Sequence, residues 1–363
     1  MAHLLKPELV AEVIGLLRDL IAIPSFSKEE EKTAERICRF LEAKSIAVFR
    51  DGNNIWAKNQ CFDEAKPTIL LNSHHDTVKP NTGYTRSPFV ATIEEDKLYG
   101  LGSNDAGGAL VALLASFLQH YASTTLPFNL IFAATAEEEI SGLNGVSRII
   151  SKLGTIHLAI VGEPTKMELA VAERGLLVLD CTSNGKAGHA ARNEGINAIY
   201  EAMKDIEWFR SYSFPQTSSW LGDVSMNVTA INGGHAHNQV PAECSFVVDI
   251  RLNENYNHQQ VLDIVRKHVS CHVKERSTRI RPSSISMQHP FVQVARSMKI
   301  SLFGSPTTSD MALMPWPAVK IGPGDSSRSH SADEYIFISE IEQGIKDYSE
   351  LLRLYALNFP NIH

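Results

Sequence analysis

The 363-residue chain has no surplus of positive charge: 34 Lys and Arg face 41 Asp and Glu, a net charge of −7. Such a balance gives no electrostatic footprint for nucleic acid or an anionic membrane surface. Cysteine is scarce, and Cys38, Cys61, Cys181, Cys244 and Cys271 are scattered, odd in number and without a C-x-x-C pair. That usage argues against a zinc–thiolate site and fits a reducing, cytoplasmic compartment. There is no internal repeat, low-complexity tract or long disordered linker. A long uninterrupted apolar run is missing from the start as well. Between Met1 and Ser25 the apolar residues Leu9, Val13, Leu16, Leu17 and Leu20 fall at helical spacing, but Glu8, Glu12, Arg18 and Asp19 break the run. The stretch therefore reads as an amphipathic helix and not as a signal peptide or membrane span. What is present, 44% hydrophobic and 21% charged residues, suits a soluble globular protein long enough for two domains.

Chemistry-bearing residues gather where apolar runs end. Thr68-Ile-Leu-Leu-Asn-Ser-His-His-Asp-Thr-Val78 is a strand-like run closed by two histidines and an aspartate. An imidazole can bind a metal through one nitrogen while a carboxylate two residues on accepts the other ring N–H, so His74 is a candidate ligand and Asp76 its support. Phe128–Ala136 runs into Glu137, Glu138 and Glu139, and Leu158–Val161 into Gly162-Glu163-Pro164. Ala318–Ile321 leads through Gly322-Pro-Gly324 to His330, and Leu98–Gly100 leads to Asp105, after which Gly107-Gly108 opens an Ala/Leu-rich helix. Open α/β sheets place their ligand sites beyond such strand ends.

Two textures organise the chain. Up to about residue 171, helical patterns alternate with buried-strand runs, as in a mainly parallel α/β sheet. From 172 to 286 the order is a strand at Gly175–Thr182, a helix at Ala198–Arg210, strands at Val224–Ile231 and Cys244–Leu252, and a helix at Gln259–Val269. A last strand at Thr278–Ser286 closes this ferredoxin-like βαββαβ set. The α/β texture returns from 287 to 363, with helices at Pro290–Ile300 and Ser339–Leu357. The expected domains are therefore 1–171 with 287–363, and an insert at 172–286.

In this order the segments resemble a known family, the co-catalytic di-zinc amidohydrolases that include aminoacylases, succinyl-diaminopimelate desuccinylase and acetylornithine deacetylase. The resemblance rests on Ser73-His-His-Asp-Thr-Val78, Gly102-Ser-Asn-Asp-Ala-Gly-Gly108, Thr135-Ala-Glu-Glu-Glu-Ile-Ser-Gly142 and Val161-Gly-Glu-Pro-Thr165. Gly185-Lys-Ala-Gly-His189, Asn238-Gln-Val-Pro241, Asp249-Ile-Arg251, Gly322-Pro-Gly324 and Ser329-His-Ser-Ala-Asp-Glu334 complete it. It implies a catalytic domain of zinc-aminopeptidase type with an inserted lid that also dimerises.

The resemblance assigns His74 and Glu163 to one zinc, Glu139 and His330 to a second, and Asp105 to both, two Zn²⁺ per subunit with Co²⁺ or Mn²⁺ able to substitute. Two metals roughly 3.5–4 Å apart acidify a shared water and polarise a scissile carbonyl. Glu138 matches the general base that takes the proton from that water and delivers it to the leaving amine. His189 resembles the histidine that stabilises the oxyanion, in some relatives across a dimer, although His-Ala-Ala-Arg-Asn193 replaces the usual serines and proline. Arg251 resembles a clamp for a substrate carboxylate, with a surface ion pair as the plainer reading. Asn238 joins it as a substrate contact. Gly322-Pro-Gly324 is most simply a turn, and it also offers backbone N–H groups to a substrate carboxylate. His75, His235 and His237 read as supporting or loop residues, and Glu137 has no catalytic role. Ala106 replaces the Met that relatives commonly carry after the bridging Asp.

The motif spellings are most similar to the acetylornithine deacetylase branch. That implies hydrolysis of the acyl group, acetyl or succinyl, from N-acyl-ornithine in arginine biosynthesis by attack of the zinc-activated water. The partners implied are a small N-acylated amino acid and a second subunit, with no nucleic acid or membrane. Arg192, Lys186 and Arg328 are candidate contacts for a succinyl tail. Succinyl-diaminopimelate desuccinylase, another N-acyl-amino-acid deacylase, a dipeptidase and a catalytically inactive ligand-binding relative remain alternatives.

Overall fold

The computed structural model describes residues 6–359. The chain divides into two units, one formed by the chain through Val171, Ser284–Phe303 and the chain from Ser309 onward, the other by Ala172–Ser283 and Gly304–Thr308.

In the first unit the apolar runs become a central sheet. Strands Thr68–His74 and Asn129–Thr135 are buried at every position, which explains why their sequences do not alternate. They pair in parallel with His74 opposite Thr135, and Thr68–His74 pairs on its other side with Leu158–Val161, also in parallel. Ala318–Lys320 adds to Leu158–Val161 in parallel, so four consecutive strands end on the same side. Asn54–Lys58 and Phe49–Asp51 extend the sheet antiparallel beyond Asn129–Thr135.

Helices Pro7–Ile21, Gly108–His120 and Ile338–Leu357 belong to the same unit. Pro7 starts the first helix at a position where its missing N–H costs nothing, and Val10, Val13, Leu16, Leu17 and Leu20 form its buried face. The first five residues of the amphipathic stretch lie outside the described residues. No helix among the described residues is long and apolar enough to cross a membrane.

The second unit is a four-stranded antiparallel sheet in the order Ser225–Gly233, Glu243–Leu252, Gly175–Asn184, His272–Glu275, with helices Ala198–Ser211 and His258–His268. This is the βαββαβ ferredoxin-like arrangement. Alternate residues of Gly175–Asn184, including Leu177, Leu179 and Cys181, are buried, as a one-sided sheet requires. A reciprocal pair between Asn257 and Gln260 caps the second helix.

Two expectations for this unit need correction. The closing strand is His272–Glu275, not Thr278–Ser286. The helix ends at His268, three residues suffice for the turn, and Val273 places its side chain in the core. The later stretch carries Arg279, Arg281 and Pro282, and forms only the short strand Ser283–Ser284. The boundary also differs from 172–286: the unit ends at Ser283 and gains Gly304–Thr308, where Ser305 O accepts the Arg174 N–H at 3.3 Å.

Candidate metal centre

The four parallel strands deliver their following residues to one place because they are neighbours in register. Ser73 Oγ donates to Gly162 O at 2.8 Å and the Gly162 N–H to Asn72 O at 2.7 Å, which ties the segment of His74 to that of Glu163. The Ile321 N–H continues the ladder to Val161 O at 2.9 Å.

His74 is 1% exposed, and its Nδ1 lies 3.0 Å from the backbone oxygen of Asp76 and 3.4 Å from its Oδ1. Oxygens of this kind only accept, so Nδ1 carries a proton and Nε2 is the nitrogen turned toward the acidic groups. Asp105 Oδ1 is 3.3 Å from Nε2, Glu138 Oε2 3.8 Å and Glu163 Oε1 3.9 Å. On the other side His330 Nε2 is 2.9 Å from Glu139 Oε2 and 3.7 Å from Asp105 Oδ2. Asp105 thus directs one oxygen to each histidine. His330 reaches this position with φ at +57°, in the left-handed region that a non-glycine residue rarely adopts.

Asp76 does more than the sequence indicated. Its Oδ1 accepts the Glu138 N–H at 3.0 Å, and its Oδ2 accepts the Glu139 N–H at 3.2 Å and the Ser27 hydroxyl at 2.7 Å. One carboxylate therefore orients His74 and the turn bearing both glutamates. Glu137, which had no assigned role, shapes that turn: it sits at φ +53°, its carboxylate accepts the Asn144 backbone and side-chain N–H groups at 3.1 and 3.0 Å, and its own N–H donates to Glu30. His75 is a structural histidine, with Nε2 2.8 Å from Asn53 O and Nδ1 2.9 Å from Thr33 Oγ1.

Neither Asp310 nor Glu334, two buried carboxylates beside the centre, was singled out from the sequence. Asp310 accepts from Asn72 and Thr135, and Glu334 accepts backbone N–H groups around Asp105. Glu334 at least lies in a quoted motif; Asp310 had no local signal.

The electrostatics are those of a cation site. Burial pushes Glu138 well above the usual carboxylate range and Glu163 up to about 8. Burial alone would depress His74, but Glu138, Asp105, Asp76 and Glu163 hold it well above its ordinary value. The Glu139 hydrogen bond raises His330 to about 9. Crowded carboxylates that resist ionisation and imidazoles that hold protons are both relieved by a cation among them. Geometry agrees. Ligands roughly 2.0–2.2 Å from a tetrahedral ion lie about 3.4 Å apart, within the 2.9–3.9 Å range of the histidine–carboxylate separations. Among the described residues two groups bring their ligand atoms close enough to hold an ion, His74 with Glu138 and Glu163, and His74 with Asp105 and Glu139.

Gly322 is a packing position. A Cβ there would meet Glu163 O at 2.4 Å, and its N–H already donates to Thr165 Oγ1 at 2.9 Å. The substrate-carboxylate role expected of it is therefore not one its own N–H can fill. Arg328 is likewise committed, by two bonds to Glu340 at 2.7 and 2.8 Å.

The remaining expected residues lie in the second unit. His189 is exposed, and its Nδ1 accepts the Ala191 N–H at 3.2 Å, which leaves Nε2 as a donor. Asn238 is adjacent, its backbone oxygen accepting the Ala190 N–H at 3.1 Å. Arg251 forms a two-pronged pair with Asp249 at 2.7 and 3.0 Å. Lys186, Arg192, His235 and His237 are exposed, with Arg192 3.9 Å from Glu194.

Comparison with known proteins identifies the family. The acetylornithine deacetylase of Proteus mirabilis is 27% identical over 95% of this chain and 97% of that protein. The succinyl-diaminopimelate desuccinylase of Acidiphilium cryptum is 26% identical over 72% and 73%. The structure of the YXEP protein of Bacillus subtilis, a dinuclear metal binding peptidase from the M20 family, has the same fold: TM-score 0.71 at 15% identity, covering 98% of this chain and all of that one. Residues 70–354 match the profile of the peptidase family M20/M25/M40, and the chain belongs to that family.

Proposed function

We propose that this protein is a metal-dependent amidohydrolase that removes an acetyl or succinyl group from N-acyl-ornithine, a step of arginine biosynthesis. The observation that carries the reading is Asp105, whose two oxygens face His74 and His330 separately, as a carboxylate shared by two ions must. His74 and Glu163 would hold one ion, Glu139 and His330 the other, and the nitrogen–oxygen donor set suits Zn²⁺, with Co²⁺ or Mn²⁺ as substitutes. Such a pair supplies a water acidified to near neutrality and a polarised scissile carbonyl.

The chain's own residues do the rest. Glu138 projects its carboxylate to the same side as the ligands, and burial raises its proton affinity. It takes the proton of the attacking water and returns it to the departing amine nitrogen. Asp76 holds the Glu138 N–H with its carboxylate and the His74 Nδ1 with its backbone oxygen. His189 is assigned the developing oxyanion and Arg251, with Asn238, the substrate carboxylate; loss of turnover in His189→Ala with unchanged metal content is the expected result. Full-length similarity to an acetylornithine deacetylase supports the choice of substrate.

The reading includes a homodimer in a reducing cytoplasm. Ser225–Gly233 is an edge strand of the second unit, and Ile231, Tyr200 and Met203 of that unit are 56%, 64% and 57% exposed. An open edge flanked by apolar side chains favours pairing with a second copy. Light scattering that gives a monomer in the wild type would remove this part.

The deciding experiment measures free-amine release from N-acetyl-ornithine and N-succinyl-ornithine by zinc-loaded protein before and after chelation. Chelator-sensitive turnover of one substrate supports the reading and names the acyl group. Silence on both, with turnover of a diaminopimelate derivative or a dipeptide, would replace it.

A further inference from the structure

Asp105 sits on a stretch of backbone that is neither helix nor strand: its φ and ψ are −116° and 98°, and those of Ala106 −116° and 30°. Backbone N–H groups in such a stretch have no ladder to join, and when buried they need acceptors from elsewhere. Glu334 supplies them. Its Oε1 accepts the N–H groups of Asn104 and Asp105 at 2.8 and 2.9 Å, and its Oε2 accepts that of Gly102 at 3.1 Å. The backbone oxygen of Glu334 takes the Gly100 N–H at 2.9 Å. The side chain is buried, and every one of these partners is 229 to 232 positions away for the carboxylate bonds.

The segment that carries Glu334 also carries His330, and it is pinned along its length. The His330 backbone oxygen accepts from Asn81 at 3.1 Å, and Asp333 accepts the Thr85 and Arg86 N–H groups at 2.9 Å. Asn104 adds a reciprocal pair with the Asp325 backbone at 3.0 and 2.9 Å. These bonds tie the loop of Asp105 to the loop of His330, and Glu334 bonds the backbone of Asp105 itself.

We propose that Glu334 is a positioning residue of the metal centre: it fixes the Asp105 loop against the His330 segment and so sets the spacing of the shared carboxylate and the more exposed histidine. The proposal rests on the two-ion reading above. With two acceptor oxygens, a carboxylate is the side chain that meets all three donors. An amide reaches two with its oxygen and turns its own NH₂ toward the Gly102 N–H, which opposes donor to donor.

The test compares the wild type with Glu334→Gln, Glu334→Ala and Asp333→Asn, each stripped of metal, by calorimetric titration with Co²⁺, the visible spectrum of the Co²⁺-loaded protein, and the urea denaturation midpoint of the metal-free form. Asp333→Asn loosens the same segment without touching Asp105, and asparagine tolerates the φ of +52° at that position. In Glu334→Gln, Co²⁺ affinity is expected to fall roughly 10- to 100-fold, with a changed ligand-field spectrum, while Asp333→Asn binds and absorbs as wild type. Should Glu334→Ala fail to fold, the Gln variant decides. A Glu334→Gln protein with a lowered denaturation midpoint but wild-type Co²⁺ affinity and spectrum would overturn the proposal and leave Glu334 as a packing anchor. A wild type that binds no Co²⁺ would instead overturn the two-ion reading beneath it.

Discussion

Asn72 and Asp310, 238 positions apart, meet through a hydrogen bond of 2.9 Å from the amide Nδ2 to Oδ2, and the same oxygen accepts the Thr135 hydroxyl at 2.6 Å. Asn72 stands two residues before His74, and Thr135 three before Glu138, so this oxygen clamps the two strand ends that lead into the centre. Asp310→Ala leaves the buried Asn72 amide N–H without its acceptor, while the Thr135 hydroxyl can turn to Ser73 O at 3.2 Å, and a loss of about 1–3 kcal/mol is expected. Combining it with Thr135→Val should cost less than the sum of the single changes, because the pair shares one bond. Urea denaturation of the four proteins measures this, and strict additivity would separate the two residues.

Asp76 joins His74 to the Glu138–Glu139 turn. Asp76→Ala removes the carboxylate 3.4 Å from the His74 ring and releases two N–H groups, while the backbone oxygen keeps its bond to Nδ1, and metal affinity should drop roughly 10- to 100-fold. Ser27→Ala removes one bond to the same carboxylate and should have a smaller effect in the same calorimetric titration.

Glu138→Gln should reduce kcat by about 10²- to 10⁴-fold with metal stoichiometry intact. Glu138 also lies within ligand distance of His74 and Glu163. Elemental analysis is therefore the deciding companion to the rate: loss of an ion from the variant would make Glu138 a ligand.

Stability of the metal-free protein should depend on pH with a definite sign. Burial raises Glu163 from 4.5 to about 8, so between those values the folded chain holds a proton that the unfolded chain has released, and stability falls as pH rises. Glu139 raises His330 from 6.5 to about 9; the stability this gives is complete below 6.5 and is lost as pH climbs through 9. The slopes agree between pH 6.5 and 8. Thermal midpoints after chelation should decline across that window, and saturating metal should flatten the decline; a rising midpoint would contradict both shifts.

The strands that build the centre were legible because they are buried on both faces and so carry unbroken apolar runs, and His74, Glu139 and Glu163 were legible because they follow those runs directly. The closing strand of the second unit was not, since His272–Glu275 has one apolar residue and gains its place from pairing with Gly175–Asn184. Glu334 and Asp310 bond partners more than 170 positions away, and nothing in the residues next to them indicates that pairing. Gly322 shows the reverse case: its motif suggested a contact for a ligand, whereas Thr165 satisfies the group in question.

That same bond between Gly322 and Thr165 joins positions 157 apart, and the whole second unit lies between them in the chain. Synthesis proceeds from the N-terminus, so four of the five proposed ligands leave the ribosome before the second unit is complete, and His330 follows it. The strand pairing that brings His330 home is a long-range closure, slow to form and dependent on an almost finished chain. Ion uptake by the full set would then mark the end of maturation, and a chain cut short within the second unit would carry most of the ligands without the geometry to use them.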